Sequence, residues 1–145
     1  MRRILVPELL LALILGCVPA TVPAGDETTT PATAAPVTAE AGTDGVQRAT
    51  MTLDSYSFSP SHLIVEAGKP VELTLNNVSS VAPHSLVIDD PAAGFTVNQA
   101  VAAGKSAAVR FTPVQAGRFA FYCDKKLPLL PSHRKKGMEG VLEVR

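Results

Sequence analysis

Alternation with a period of two governs the C-terminal two thirds of this chain. Val71, Leu73 and Leu75 alternate with Glu72 and Thr74, and Phe119, Phe121 and Cys123 alternate with Ala120 and Tyr122. In an extended strand successive Cβ atoms point to opposite faces, so such runs bury one face and wet the other. Turn residues separate the runs: Ala67-Gly68-Lys69-Pro70, Asn76-Asn77, Asp89-Asp90-Pro91, Ala103-Gly104-Lys105 and Pro113 to Gly117. Further strands are expected at Ala49 to Leu53 with Tyr56 and Phe58 following, Leu63 to Val65, His84 to Ile88, Ala107 to Phe111 and Met138 to Val144. No segment carries a sustained helical period with caps, and there is no internal repeat. Period-two runs with regular turns predict an all-β domain, a β-sandwich or small barrel.

The N-terminal third is of a different kind. Met1-Arg2-Arg3 is basic, and Leu9 to Leu15 is an unbroken apolar run that ends in Gly16-Cys17. That run is much shorter than the ~20 apolar residues of a spanning helix and reads as a secretory signal. Ile14-Leu15-Gly16-Cys17 resembles a bacterial lipobox, which predicts a signal peptide over residues 1–16 and lipid on Cys17. Cleavage after Ala20 or Ala24 is the alternative, and both readings export the protein. Val18 to Arg48 is rich in Ala, Thr, Pro and Gly and lacks large apolar residues, so it is expected to be a disordered tether. A flexible chain of that length reaches about 30 Å. The folded domain is thereby expected over residues 49–145, enough for a single core.

Formal net charge is zero over 145 residues, but from Val46 onward eleven Lys and Arg face eight Asp and Glu. Much of the excess lies in Lys125-Lys126 and Arg134-Lys135-Lys136. So small an excess, with only two Tyr and five Phe in the chain, argues against nucleic acid as a partner.

Cys123, His133 and Met138 fall within sixteen residues, and His84 begins an upstream strand. Taken singly each has an ordinary reading. A strand His is usually a hydrogen-bonded core or rim residue, a lone Cys a small hydrophobe, and a Met core filler. His133, beside Arg134-Lys135-Lys136, reads singly as a solvated loop residue. If Cys17 is lipidated, however, Cys123 is alone in an oxidising compartment, and metal ligation protects such a thiol. Two His, one Cys and one Met are a soft ligand set, the set of a blue-copper electron-transfer site. His62, on a strand, is not expected to be a ligand. Met51 and the Phe residues read as core.

The region from Val46 to Arg145 resembles the cupredoxins, the plastocyanin- and azurin-like blue-copper proteins. The resemblance rests on Phe58-Ser59-Pro60, Ala67-Gly68-Lys69-Pro70, Leu75-Asn76-Asn77, Pro83-His84-Ser85-Leu86-Val87-Ile88, Ala103-Gly104-Lys105, Phe111-Thr112-Pro113, Gly117 to Cys123 and Gly137-Met138-Glu139-Gly140. It implies a Greek-key β-sandwich of seven to eight strands holding one copper. His84, Cys123 and His133 would be trigonal ligands and Met138 the weak axial one. The backbone N–H of Ser85 would donate to the Cys123 sulfur, and Asn76 or Asn77 would brace the same loop. Asp124 has no assigned role.

One departure stands out. Nine residues, Asp124 to Ser132, separate Cys123 from His133, more than is common in the family. The insert has two Pro, which limit its flexibility. Leu127, Leu129 and Leu130 are expected to form an apolar collar beside the copper, with Lys125, Lys126, Arg134, Lys135 and Lys136 as its charged docking rim. Charged rims chiefly raise association rates and are salt-sensitive.

These features predict a monomeric, mononuclear type 1 copper protein. It would carry single electrons between redox proteins, some with acidic docking surfaces, at the extracytoplasmic face of a bacterial membrane. Copper delivery or storage with the same ligands is the alternative. An enzyme is not expected: copper oxidases and nitrite reductases need more than one copper site. A Cys–His hydrolase lacks a nucleophile context around Cys123. A plain β-sandwich adhesion module leaves Cys123 unexplained.

Overall fold

The computed structural model describes residues 35–145. The expected signal peptide over residues 1–16, Cys17 and most of the expected tether lie outside them. Two sheets face each other. One has six strands, in the order β1 (Val37–Thr38), β5 (His62–Val65), β11 (Glu139–Val144), β10 (Gly117–Tyr122), β7 (His84–Asp89), β8 (Thr96–Val101). The other has five: β2 (Glu40–Ala41), β3 (Gln47–Asp54), β6 (Val71–Asn77) and β9 (Ser106–Phe111) in order, with β4 (Ser57–Ser59) paired to β3. The described residues contain two short 3-10 turns, Pro91–Ala93 and Arg134–Lys136, and otherwise strands and loops.

The alternation does what the sequence implies. Met51 and Leu53 of β3, Val71, Leu73 and Leu75 of β6, and Phe119 and Phe121 of β10 all point into the space between the sheets. Phe58 meets Phe121 edge to face at 5.1 Å, and Phe95 stacks on Phe111 at 5.0 Å. Gly140 pairs with Phe121 across β10 and β11, and a Cβ at that position would collide with the Phe121 ring and the Ser61 carbonyl. This close approach fixes β10 against β11, the two strands from which the ligand loop hangs.

Two expectations are corrected. Ordered structure begins before residue 49. Val37–Thr38 runs parallel to Leu63–Ile64, Glu40–Ala41 pairs with Gln47–Arg48, and Ala39 enters the core. A short edge strand needs backbone partners and one small plug, not large apolar side chains, so composition alone hid it. Gln47 is buried too. Its amide donates to the Glu66 carbonyl at 3.0 Å and accepts from the Glu66 N–H at 2.7 Å. Second, the described residues contain eleven strands rather than seven to eight, β1, β2 and β8 being the unforeseen ones. In β8 only Val97 and Val101 are buried, four residues apart, which masks the period.

Candidate metal centre

Four segments converge at one end of the sandwich. His84 is the first residue of β7 and pairs with Val101 of β8. Cys123 follows β10, His133 precedes the 3-10 turn, and Met138 precedes β11. His84, Cys123, His133 and Met138 are all buried, at 1%, 0%, 2% and 0% exposure.

The donor atoms form a compact triangle. His84 Nδ1 lies 3.1 Å from His133 Nδ1, and Cys123 Sγ lies 3.5 Å from His133 Nδ1 and 3.9 Å from His84 Nδ1. The centre of a triangle with these edges is about 2.0 Å from each corner, within the roughly 2.0–2.3 Å that zinc, copper's neighbour in its row, makes to imidazole and thiolate. Three lone pairs aimed at one point repel one another, and a cation at that point satisfies them together. Nε2 of His84 is buried with no hydrogen bond among the described residues, so Nδ1 is the engaged nitrogen.

Electrostatics favour the ligand forms. Burial holds the His84 pKa below its ordinary value, the neighbouring His133 adds to this, and Asp54 opposes it. Burial likewise lowers that of His133, followed by the charges of Lys136 and Lys125. Both imidazoles are thus held neutral, as metal binding requires. Thiolate, imidazole and thioether select copper over hard cations. His84, Cys123 and His133 bring three donor atoms together, and Met138, buried and tied by backbone bonds to His133 and Cys123, completes one copper-binding site.

The surroundings fix the donors. Asn77 Nδ2 donates to the carbonyls of Ala82 at 2.9 Å and of Val101 and Ala102 at 3.1 Å, while its Oδ1 accepts from Ser79 N–H at 3.0 Å. One buried amide thus ties down the loop that leads into His84. Ser85 N–H donates to Cys123 Sγ at 3.4 Å. The Ser85 hydroxyl is 3.5 Å from the same sulfur but only 2.6 Å from Asp124 Oδ1. It has a single hydrogen, and the short contact to a carboxylate takes it. Asp124 N–H returns a bond to that oxygen at 3.0 Å. Asp124 is therefore a clamp, and the Ser85 hydroxyl, then Lys125, holds its carboxyl below the usual range.

The long insert does not displace His133. Its N–H donates to the Lys125 carbonyl at 2.8 Å, so the intervening residues loop outward. Met138 N–H then bonds the His133 carbonyl at 3.0 Å, and Cys123 N–H the Met138 carbonyl at 3.1 Å. Leu127, Leu129 and Leu130 are exposed, Leu129 completely, so the expected apolar collar does not close over the site. The cover over His133 is Tyr56, whose ring meets the imidazole edge to face at 4.9 Å. Sequence reasoning missed Tyr56, because nothing local to the β3–β4 hairpin points to a residue on the far side of the site.

The basic residues surround this end. Lys125 pairs with Asp124 at 3.2 Å, Arg134 lies over the Tyr122 ring at 4.0 Å, and Lys136 lies over Tyr56 at 4.2 Å. Lys126 and Lys135 are exposed. His62 is elsewhere: its Nε2 meets Glu143 at 2.9 Å across β5 and β11.

Similar folds occur among solved copper proteins. The metal-binding domain of the Cu(I)-exporting P-type ATPase CopA from Streptococcus pneumoniae superposes with a TM-score of 0.58 at 20% identity, covering 77% of this chain and 96% of that one. Reduced auracyanin from Roseiflexus castenholzii gives 0.55 at 18%, covering 72% and 99%. Rusticyanin from Thiobacillus ferrooxidans gives 0.54 at 20%, covering 76% and 82%. A search of curated proteins gave no significant match. The model of the cupredoxin-like domain matches residues 21–138, most of the chain, and with the two-sheet fold in place the chain belongs to the cupredoxin family.

Proposed function

We propose that this domain carries single electrons between protein partners at the extracytoplasmic face of a membrane. The observation that carries this reading is the triangle of Cys123 Sγ and two Nδ1 atoms, assembled by backbone and side-chain hydrogen bonds before any metal is considered. When bound, copper would supply a one-electron Cu(II)/Cu(I) couple, held by His84, Cys123 and His133 with the thioether of Met138. The chain's part is to keep its donors still. A reduced donor protein loses one electron, an oxidised acceptor gains it, and no bond in this chain forms or breaks.

Exposed Lys126, Lys135 and the three leucines support an apolar contact with a basic rim, suited to partners with acidic surfaces. The signal-like start and Cys17 support export and a lipid anchor, with the residues after Cys17 as tether; the domain is read as acting as a monomer. The chain has three His, and His62 is engaged with Glu143, which leaves no imidazole for a second copper site of the kind an oxidase needs. The test is a redox titration of the copper-loaded domain followed by stopped-flow mixing with an acidic and a basic redox protein. Reversible uptake of one electron, with faster low-salt reaction toward the acidic partner that Lys135→Glu/Lys136→Glu slows, supports the reading. Irreversible loss of metal on reduction refutes it.

Copper delivery or storage is the second reading, favoured by the likeness to a metal-binding domain of a Cu(I)-exporting ATPase. Transfer of Cu(I) to an acceptor within seconds would select it over electron carriage.

A further inference from the structure

Tyr56 occupies an unusual place. It is the second of two central residues in the β3–β4 hairpin, Ser55 and Tyr56, between the paired Asp54 and Ser57. Both have positive φ, 44° and 66°. Two-residue hairpins with that pattern are ordinarily Asn-Gly or Asp-Gly, because a side chain with a Cβ is strained there. A bulky aromatic at such a position is strained, and strain of this kind collects at functional sites.

The strain has a visible consequence. It directs the Tyr56 ring onto His133, at 4.9 Å between centroids and 76° between planes. Lys136, from the 3-10 turn beside His133, lies over the same ring and its Nζ donates to the Tyr56 hydroxyl at 3.1 Å. His133 needs such support. Backbone bonds hold its N–H and carbonyl, but these leave the side-chain torsions free. The hydrogen-bonding contacts of its ring all run through Nδ1, toward His84 and Cys123. In ligating imidazoles the other nitrogen usually finds a carboxylate, carbonyl or water that fixes the ring plane. No carboxylate or carbonyl among the described residues meets the other nitrogen of His133, and the edge contact with Tyr56 is the protein contact that bears on its ring plane.

We propose that Tyr56 is a positioning residue for the metal centre, its ring fixing the imidazole plane of His133 and Lys136 fixing the ring. This rests on His133 being a copper ligand. The hairpin gives up local stability so that the second imidazole, carried on an atypically long loop, is presented in one orientation.

Tyr56→Gly separates the alternatives, because it relieves the positive φ while removing the ring. In the metal-free chain it is expected to change the melting temperature little, relief of the positive φ offsetting the lost packing, yet in the copper-loaded chain to speed copper loss to a chelator about three- to tenfold, the scale of one aromatic pair. Tyr56→Phe, which keeps the ring, is expected to stay within about twofold of the parent. In the metal-free chain, NMR of the His133 ring is expected to show one set of signals in the parent and Tyr56→Phe, and averaged or doubled signals in Tyr56→Gly. Unchanged copper loss and unchanged His133 signals in Tyr56→Gly would overturn the proposal. So would equal effects of Gly and Phe. If the parent binds no copper, the copper reading fails, while the NMR comparison still decides whether Tyr56 holds the ring.

Discussion

His84 and Cys123 are held by the sheets, whereas His133 is held by a loop and a neighbouring ring. On the first side the restraints are long-range and redundant. Asn77 makes four hydrogen bonds around the approach to His84, and Ser85 clamps both the sulfur and the residue after it. On the second side one bond to the Lys125 carbonyl closes the insert and one aromatic contact orients the imidazole. A metal site built this way has a rigid half and an adjustable half. Loop length can vary on the adjustable side as long as the closing bond survives, which explains how nine residues fit between Cys123 and His133.

The comparison can be broken in four places, taken from the largest expected effect down. Gly140→Ala drives a methyl into the Phe121 ring beneath both ligand loops and is expected to cost about 3 kcal/mol in urea unfolding. A cost below 1 kcal/mol would show that β10 and β11 are free to shift. Asn77→Ala removes a buried amide and its bonds to the Ala82, Val101 and Ala102 carbonyls and the Ser79 N–H, and is expected to cost about 2–3 kcal/mol, with weakened copper retention. Retention as in the parent would mean that the His84 side is not set by this amide. Ser85→Ala removes the Asp124 clamp but keeps the backbone donor to sulfur, so a loss of about 1–2 kcal/mol is expected with little change in the visible spectrum. A large spectral shift would assign the sulfur's donor to the hydroxyl. Deleting Leu127 to Leu130 shortens a loop already closed at Lys125, so stability is expected to change by less than about 1 kcal/mol, with His133 still bound. Loss of copper on that deletion would show that the insert itself builds the site.

The rigid half was the legible half. Alternating Val71, Leu73 and Leu75 and the run Phe119 to Cys123 announce buried strands, and Leu75-Asn76-Asn77, Pro83-His84-Ser85 and Gly117 to Cys123 resemble their family counterparts closely enough to place His84 and Cys123 at one end. His133 and Met138 are named from the same resemblance, but how their loop is held is not legible. What escaped the sequence has physical reasons. β1 and β2 sit in Ala- and Thr-rich chain because edge pairing uses backbone groups, which every residue has. Asp124 gained its role from Ser85, 39 positions away in sequence, which no local pattern exposes. Tyr56 sits 77 positions before His133 in a turn whose composition disfavours the conformation it adopts, and only the fold brings the two rings together. The leucines of the insert misled in the other direction. Apolar side chains suggested a cover, but a loop pinched at its base presents them to solvent.

The most direct test of the central claim is the visible and EPR spectrum of the purified chain as Cu(II) is added, read in the parent and in Cys123→Ala. One equivalent of copper is expected to produce an intense thiolate-to-copper charge-transfer band that is absent from the variant. A colourless parent, or a band that survives loss of Cys123, would contradict the assignment of His84, Cys123, His133 and Met138 as a blue-copper centre.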